Sequence, residues 1–140
     1  MLDKRSLHMK VQEQADCFAS ADPLSEMAGL FREQDSEEGA LKWIALAVLH
    51  GIDRNAKKIS IRRNSNGGIS VTAKYRESEL PKPPTPIGRK VFDVVREITH
   101  IEEDKGKIPL SIGIRDSSIV LEMKLERDGA EEEVVLNFAN

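Results

Sequence analysis

Three histidines, one cysteine and the adjacent carboxylates Glu102, Glu103 and Asp104 are side chains of this sequence that could serve catalysis or metal binding. His8, His50 and His100 each lack a second His or Cys at the spacing of roughly three to five residues that pairs zinc ligands, so no metal site is expected. His50 lies among Val48, Leu49 and Ile52 and reads as a core histidine of a helix. Cys17, beside Phe18, has no adjacent histidine or basic residue to lower its thiol pKa, so it reads as a small buried side chain rather than a nucleophile. As the only cysteine it also excludes an intrachain disulfide. Glu102, Glu103 and Asp104 are consecutive, and consecutive side chains diverge, so they make a solvated helix end rather than an acid pair. The only Gly-Lys, Gly106-Lys107, is followed by Ile108 where a P-loop needs Ser or Thr. Gly67-Gly68 precedes a strand pattern, which suits a turn and not a dinucleotide loop opening onto a helix. The residues thus imply no catalytic group, no metal and no cofactor.

One charge pattern stands out. If Ile59, Ile61, Ile69, Val71, Ala73 and Tyr75 face a core, the period of two sends Lys58, Ser60, Arg62, Thr72, Lys74 and Arg76 to the opposite face. Lys58, Arg62, Lys74 and Arg76 are therefore the candidate contacts for an anionic ligand or partner. The same alternation sends Glu122, Lys124 and Glu126 outward, with Glu131 and Glu133 nearby, so that this surface grades from basic to acidic. A mixed face of this kind also keeps a sheet soluble and discourages edge pairing.

The elements that would carry this face follow from periodicity. Leu7, Val11, Ala15 and Phe18 form a helical stripe, and Asp22-Pro23 opens a second short helix with Leu24, Met27, Ala28 and Phe31, weakened at Gly29. Asp35 caps a long helix whose broad stripe includes Ala40, Leu41, Ile44, Ala45, Val48, Leu49 and Ile52. Two strands and a hairpin turn at Asn64-Ser65-Asn66-Gly67-Gly68 come next, then a proline connector from Leu80 to Pro86. Thr85 is expected to cap, and Pro86 to open, an amphipathic helix from Ile87 to Ile101. Glu102 to Lys107 reads as a turn, and three strands near 110–115, 119–127 and 132–138 complete a meander. The expected fold is α+β, an antiparallel sheet of about five strands with helices mainly on one face. The expected division is an N-terminal helical segment, 1–36, before an α+β domain, 37–140.

The chain has 140 residues, 39% hydrophobic and 32% charged, which is one domain's worth with a modest core. Its mean hydropathy of −0.41 and lack of a long apolar run predict no membrane insertion and make the cytoplasm the default location. A net charge of −3 argues against nucleic acid as a partner. Leu7, Val11, Phe18, Leu24, Met27 and Phe31 exceed what two short helices can bury between them, so they are expected to dock on the central helix or on a second copy, forming a homodimer.

The run Ala40 to Arg63, ending Ala56-Lys57-Lys58-Ile59-Ser60-Ile61-Arg62-Arg63, resembles the helix and first strand of the N-terminal domain that precedes the motor in bacterial type II secretion and type IV pilus assembly ATPases. That family carries Ala-Ser-Asp-Ile-His-Ile-Glu-Pro there, and its Gly-Glu-x-Val-Val-Leu-Arg is similar to the stretch Gly129 to Asn137. The likeness spans about residues 38–138 and rests on the hydrophobic scaffold. Lys58 stands for the family's aspartate, Ser60 for its histidine and Asn137 for its last arginine, while Thr72, Lys74, Arg76 and Glu77 replace an arginine-rich strand. The resemblance implies a non-catalytic protein-interaction or regulatory module. The alternative is a domain sensing a small anionic ligand or nucleotide on the basic hairpin face.

Overall fold

The structure, a computed structural model, describes residues 7–18, 22–32, 35–54, 56–66, 68–74, 78–79, 83–114 and 117–138. Its elements are α1 (Leu7–Cys17), α2 (Pro23–Ala28) running into a 3₁₀ turn (Gly29–Arg32), α3 (Ser36–Asp53), β1 (Lys58–Arg63), β2 (Ile69–Lys74), β3 (Ser78–Glu79), α4 (Thr85–Thr99), β4 (Lys105–Ile114), β5 (Ser117–Asp128) and β6 (Glu131–Asn137). The strands form one antiparallel sheet in the order β3-β2-β1-β6-β5-β4, five long strands and a two-residue sixth. The expected α+β architecture is present. The meander β4-β5-β6 turns back so that β6 lies against β1, which places β6 third among the five long strands.

The helix starts follow local chemistry. Asp35 accepts hydrogen bonds from the Glu37 and Glu38 amides at 2.9 and 3.2 Å, and both acids sit in the first turn of α3, at the positive end of its dipole. At α4 the expectation needs correction: Pro84 holds the cap position, Thr85 is already helical, and no side chain caps the turn. Pro84, with φ −52 and ψ 147, already holds the chain extended, and Pro86, which has no N–H to satisfy, fits the first turn. The helix ends at Thr99 because His100 adopts φ 59, a left-handed cap; Ile101, past the end, is still buried. The stretch expected as a turn from Glu102 to Lys107 closes sooner, and β4 starts at Lys105. Gly106 there lets Ile101 approach to where a Cβ would meet it at 3.0 Å.

Alternation decides the two faces of the sheet. Ile59 and Ile61, Val134 and Leu136, Leu121, Met123 and Leu125, and Leu110 and Ile112 are all buried under the helices. The core is continuous: Val11 and Ala15 of α1, Met27 and Leu30 beyond it, Trp43 and Leu46 of α3, and Val91, Phe92, Val94 and Val95 of α4 belong to one cluster with these strand residues. Among the described residues, Val11, Ala15, Met27 and Leu30 of the first helices thus pack into the chain's own core with the central helix. Val11 and Met27 are spent inside the core, and half-buried Phe18 receives the Lys42 ammonium 4.7 Å from its ring centre. The side chains of Leu7, Leu24 and Phe31 lie outside the described residues.

Cys17 corrects another expectation: it is exposed, one position off the stripe formed by Val11, Ala15 and Phe18. His50, as expected, is buried in α3. Helix α1 also closes the outer edge of the sheet. Its Gln12 carboxamide accepts a hydrogen bond from the Gly113 N–H at 2.7 Å and donates one to the Gly113 carbonyl, so that a side chain pairs the edge strand β4 as another strand would. Among the described residues no helix is long and apolar enough to cross a membrane.

Candidate functional site

Among the described residues no helix packs on the sheet's second face. Its outward side chains fall into rows that cross the strands, because the register is continuous through β2, β1, β6, β5 and β4. The first row is Lys74, Lys58, Asn137, Glu122 and Pro109; the second Thr72, Ser60, Val135, Lys124 and Lys107; the third Ser70, Arg62, Glu133, Glu126 and Lys105. Lys58, Arg62 and Lys74 therefore share one face by register, as the period of two requires. The side chain of Lys74 and all of Arg76 lie outside the described residues.

The charges on this face are only in part arranged as opposite pairs. Lys58 stands directly across from Lys74, Lys107 across from Lys124, Glu126 across from Glu133, and Asp128 across from Glu131. Like charges in directly opposite positions destabilise a sheet, and diagonal ion pairs relieve this only in part. Lys107 lies 4.0 Å from its diagonal neighbour Glu122, whereas Lys105, 3.5 Å from Glu126, stands directly across from it, as Arg62 does from Glu133. Among the described residues, Lys58 and Lys124 make no ion pair, and Ser60 and Thr72 share a hydrogen bond of 3.0 Å between hydroxyls.

Arg62 is the exception in the basic half. It donates to Glu131 at 3.0 Å, and that hydrogen bond, with the charges of Glu131, Glu133 and Glu126, raises its pKa above the usual arginine value. A shallow cavity of about 230 Å³ is lined by Arg62 with Glu126, Asp128, Glu131, Glu132 and Glu133. The five carboxylates that line this cavity outweigh the charge of exposed Arg62 and repel an anionic ligand. The other notable cavity, about 390 Å³, lies elsewhere, between the β1–β2 turn and the start of α4, and is lined by Met27, Ala28, Gly68, Ile69, Pro83, Pro84 and Thr85. None of these described lining residues is ionisable.

Beneath the acidic end lies a buried charge cluster that the sequence reading missed. Glu132 is only 5% exposed and accepts from Arg63 Nη2 at 3.0 Å and from Arg96 Nε at 3.0 Å. Arg96 Nη2 stands 3.0 Å from the same carboxylate oxygen, an ion-pair distance, but donates no hydrogen bond to it. Arg96 Nη1 donates to the carbonyls of Ile101 and Glu103 at 3.2 Å, so one side chain ties β6, α4 and the connector to β4. Alongside, Arg127 holds Asp104 through Nε at 3.1 Å and Nη2 at 3.0 Å, and Arg63 lies 5.5 Å from the centre of the Phe92 ring. Both oxygens of Glu132 are engaged by arginines, so this carboxylate joins β1 and α4 to β6 through charge-assisted hydrogen bonds. The signal was present in the alternation: Glu132 has the same parity as Val134 and Leu136 and so had to face inward.

Glu102, Glu103 and Asp104 are exposed, as expected for a solvated end. Among the described residues no group of three or more His, Cys, Asp or Glu side chains gathers as a metal site. No protein-family model matches the chain, and no curated protein matches it.

Proposed function

We propose that this chain is a non-catalytic protein-interaction module that meets its partner through the helix-free face of the sheet. The observation that carries the reading is the set of like-charge pairs directly across neighbouring strands, Lys107 with Lys124 and Glu126 with Glu133. A face that served only solubility gains nothing from this arrangement, whereas a partner of complementary charge relieves it. The resemblance of residues 38–138 to the pre-motor domain of secretion and pilus ATPases supports the same class of function. The carboxylates of Glu126, Glu131 and Glu133 around exposed Arg62 weigh against the anionic-ligand alternative.

A photo-crosslinking residue at Ser60 or Lys124 tests the reading in cells, with Glu102 as a control on the exposed turn. Covalent protein adducts are expected from the two sheet positions and not from the control. Adducts absent from both sheet positions overturn the proposal. Thermal-shift screening against nucleotides and acidic metabolites provides the opposing measurement. A ligand at 100 times its dissociation constant stabilises by about 2.7 kcal/mol, and such a shift would move the function to ligand sensing.

A further inference from the structure

We infer that the partner on this face is a second copy of the chain, stacked sheet to sheet about a twofold axis that runs along β6. The inference rests on the interaction-module reading and commits it to one occupant. Its basis is the register. On one side of β6, strand β1 presents Lys58, Ser60 and Arg62; on the other, β5 presents Glu122, Lys124 and Glu126 in the same three rows. A twofold along β6 exchanges the places of β1 and β5. Lys58 then lies over the partner's Glu122, Ser60 over the partner's Lys124, and Arg62 over the partner's Glu126.

At the axis itself half-buried Val135 meets the partner's Val135, the one apolar outward side chain of the middle row. Glu133, also on the axis, stacks on the partner's Glu133, and an Arg62 from each copy flanks that pair and offsets its repulsion. The outermost long strands, β2 and β4, exchange places as well, bringing Lys107 and Lys105 of β4 over Thr72 and Ser70 of β2, so that the Glu133 pair on the axis is the one like-charge contact of the three rows. Self-complementarity of this kind is what an isologous interface requires. The existing pairs of Arg62 with Glu131, Lys107 with Glu122 and Lys105 with Glu126 are partly exposed, and a second charge layer can share them.

The footprint sets the strength. Five strands at about 4.8 Å spacing and three rows make a patch of roughly 24 by 20 Å, about 480 Å² in projection, with stacked sheets about 10 Å apart. That is small beside the roughly 800 Å² per partner of a standard interface, so a weak dimer held largely by charge is expected.

Sedimentation velocity across a concentration series is the test, run on the full chain with two charge-reversed variants, Lys58→Glu with Arg62→Glu and Glu122→Lys with Glu126→Lys. Each variant alone should dimerise at least about tenfold more weakly than the parent, because its β1 and β5 now carry the same sign. Mixed in equal amounts they should form a heterodimer, since each supplies the charge the other lacks. Val135→Lys, which sets like charges together at the axis without touching the core, should also give a monomer with an unchanged melting curve, and serves if a double variant fails to fold. A parent that stays monomeric at high micromolar concentration overturns the inference, as does a dimer that all these substitutions leave intact. Crosslinks from Ser60 to some other protein, with no self-adduct, would keep the interaction-module reading and remove the self-association.

Discussion

The Phe138 ring lies flat against Gly51: a Cβ added to that glycine would stand 2.4 Å from Cζ of the ring. Gly51 is in the last turns of α3, and Phe138 follows β6, its N–H bonded to the Lys57 carbonyl at 2.8 Å. The end of the sheet's third strand is thus seated on the central helix through a position that only glycine leaves open.

That contact predicts a change of sign. Gly51→Ala should destabilise the parent, because overpacking costs about 1–3 kcal/mol while alanine's better helix propensity returns only about 1 kcal/mol. In a Phe138→Ala background the clash is gone and the same substitution should stabilise. Urea denaturation of the four proteins measures both, and equal effects in the two backgrounds would show that the ring and the glycine are not coupled.

Glu132→Ala removes the carboxylate shared by Arg63 and Arg96 and leaves two guanidinium groups facing each other in a largely enclosed site. The cost should be about 3 kcal/mol. Glu131→Gln, at the exposed neighbouring pair with Arg62, should leave the melting temperature unchanged. Similar losses for the two would mean that the inward cluster is as solvated as the outward one. Arg62 itself has a raised pKa, so its ion pair is fully formed below the ordinary arginine pKa and is lost only as pH rises above the raised one. A stability profile from pH 6 to 9 should accordingly show no step from it.

Val94→Asp places a carboxylate at a position that is 1% exposed, between α4 and the sheet. Burial of a charge without a partner should cost several kcal/mol, of the order of the whole stability of about 5–15 kcal/mol, and leave the protein unfolded or molten by circular dichroism. A parent-like melt would refute the inward assignment of this helix face.

His100→Gly should raise stability by about 0.5–1 kcal/mol, because the cap has φ 59 and glycine enters that region without the steric cost a Cβ brings. The gain should appear as a higher denaturant midpoint with an unchanged slope. No gain would indicate that the exposed imidazole makes a compensating contact.

How much of this was legible in the sequence differs from element to element. Helix α4 was, because Val91, Val94, Val95 and Ile98 repeat on one face; so was the outward placing of Lys58 and Arg62, because strand parity leaves no other choice. The end of α4 was not: Ile101 continues the apolar repeat, yet His100 leaves the helix, and a stripe does not reveal where the backbone turns left-handed. Cys17 was misplaced because a small apolar side chain at a helix end carries no periodic signal strong enough to assign its face. Strand order was beyond reach in another way, since β6 reaches β1 only through pairings far apart in sequence. In consequence the three aligned rows, on which the candidate face depends, could not be assembled from the residues alone.

The Gln12–Gly113 pairing also bears on how the chain comes to be folded. Its partners are separated by 101 residues, and long loop closures come late because chain entropy opposes them until other contacts have formed. The strand it protects stands at the edge of the sheet, and until α1 arrives its amides and carbonyls are open to any passing chain. During synthesis Gln12 emerges first, and the pairing cannot form until the 101 residues that separate it from Gly113 have followed. The interval in which this protein can aggregate is therefore governed by the docking rate of its first helix, however stable the finished sheet may be.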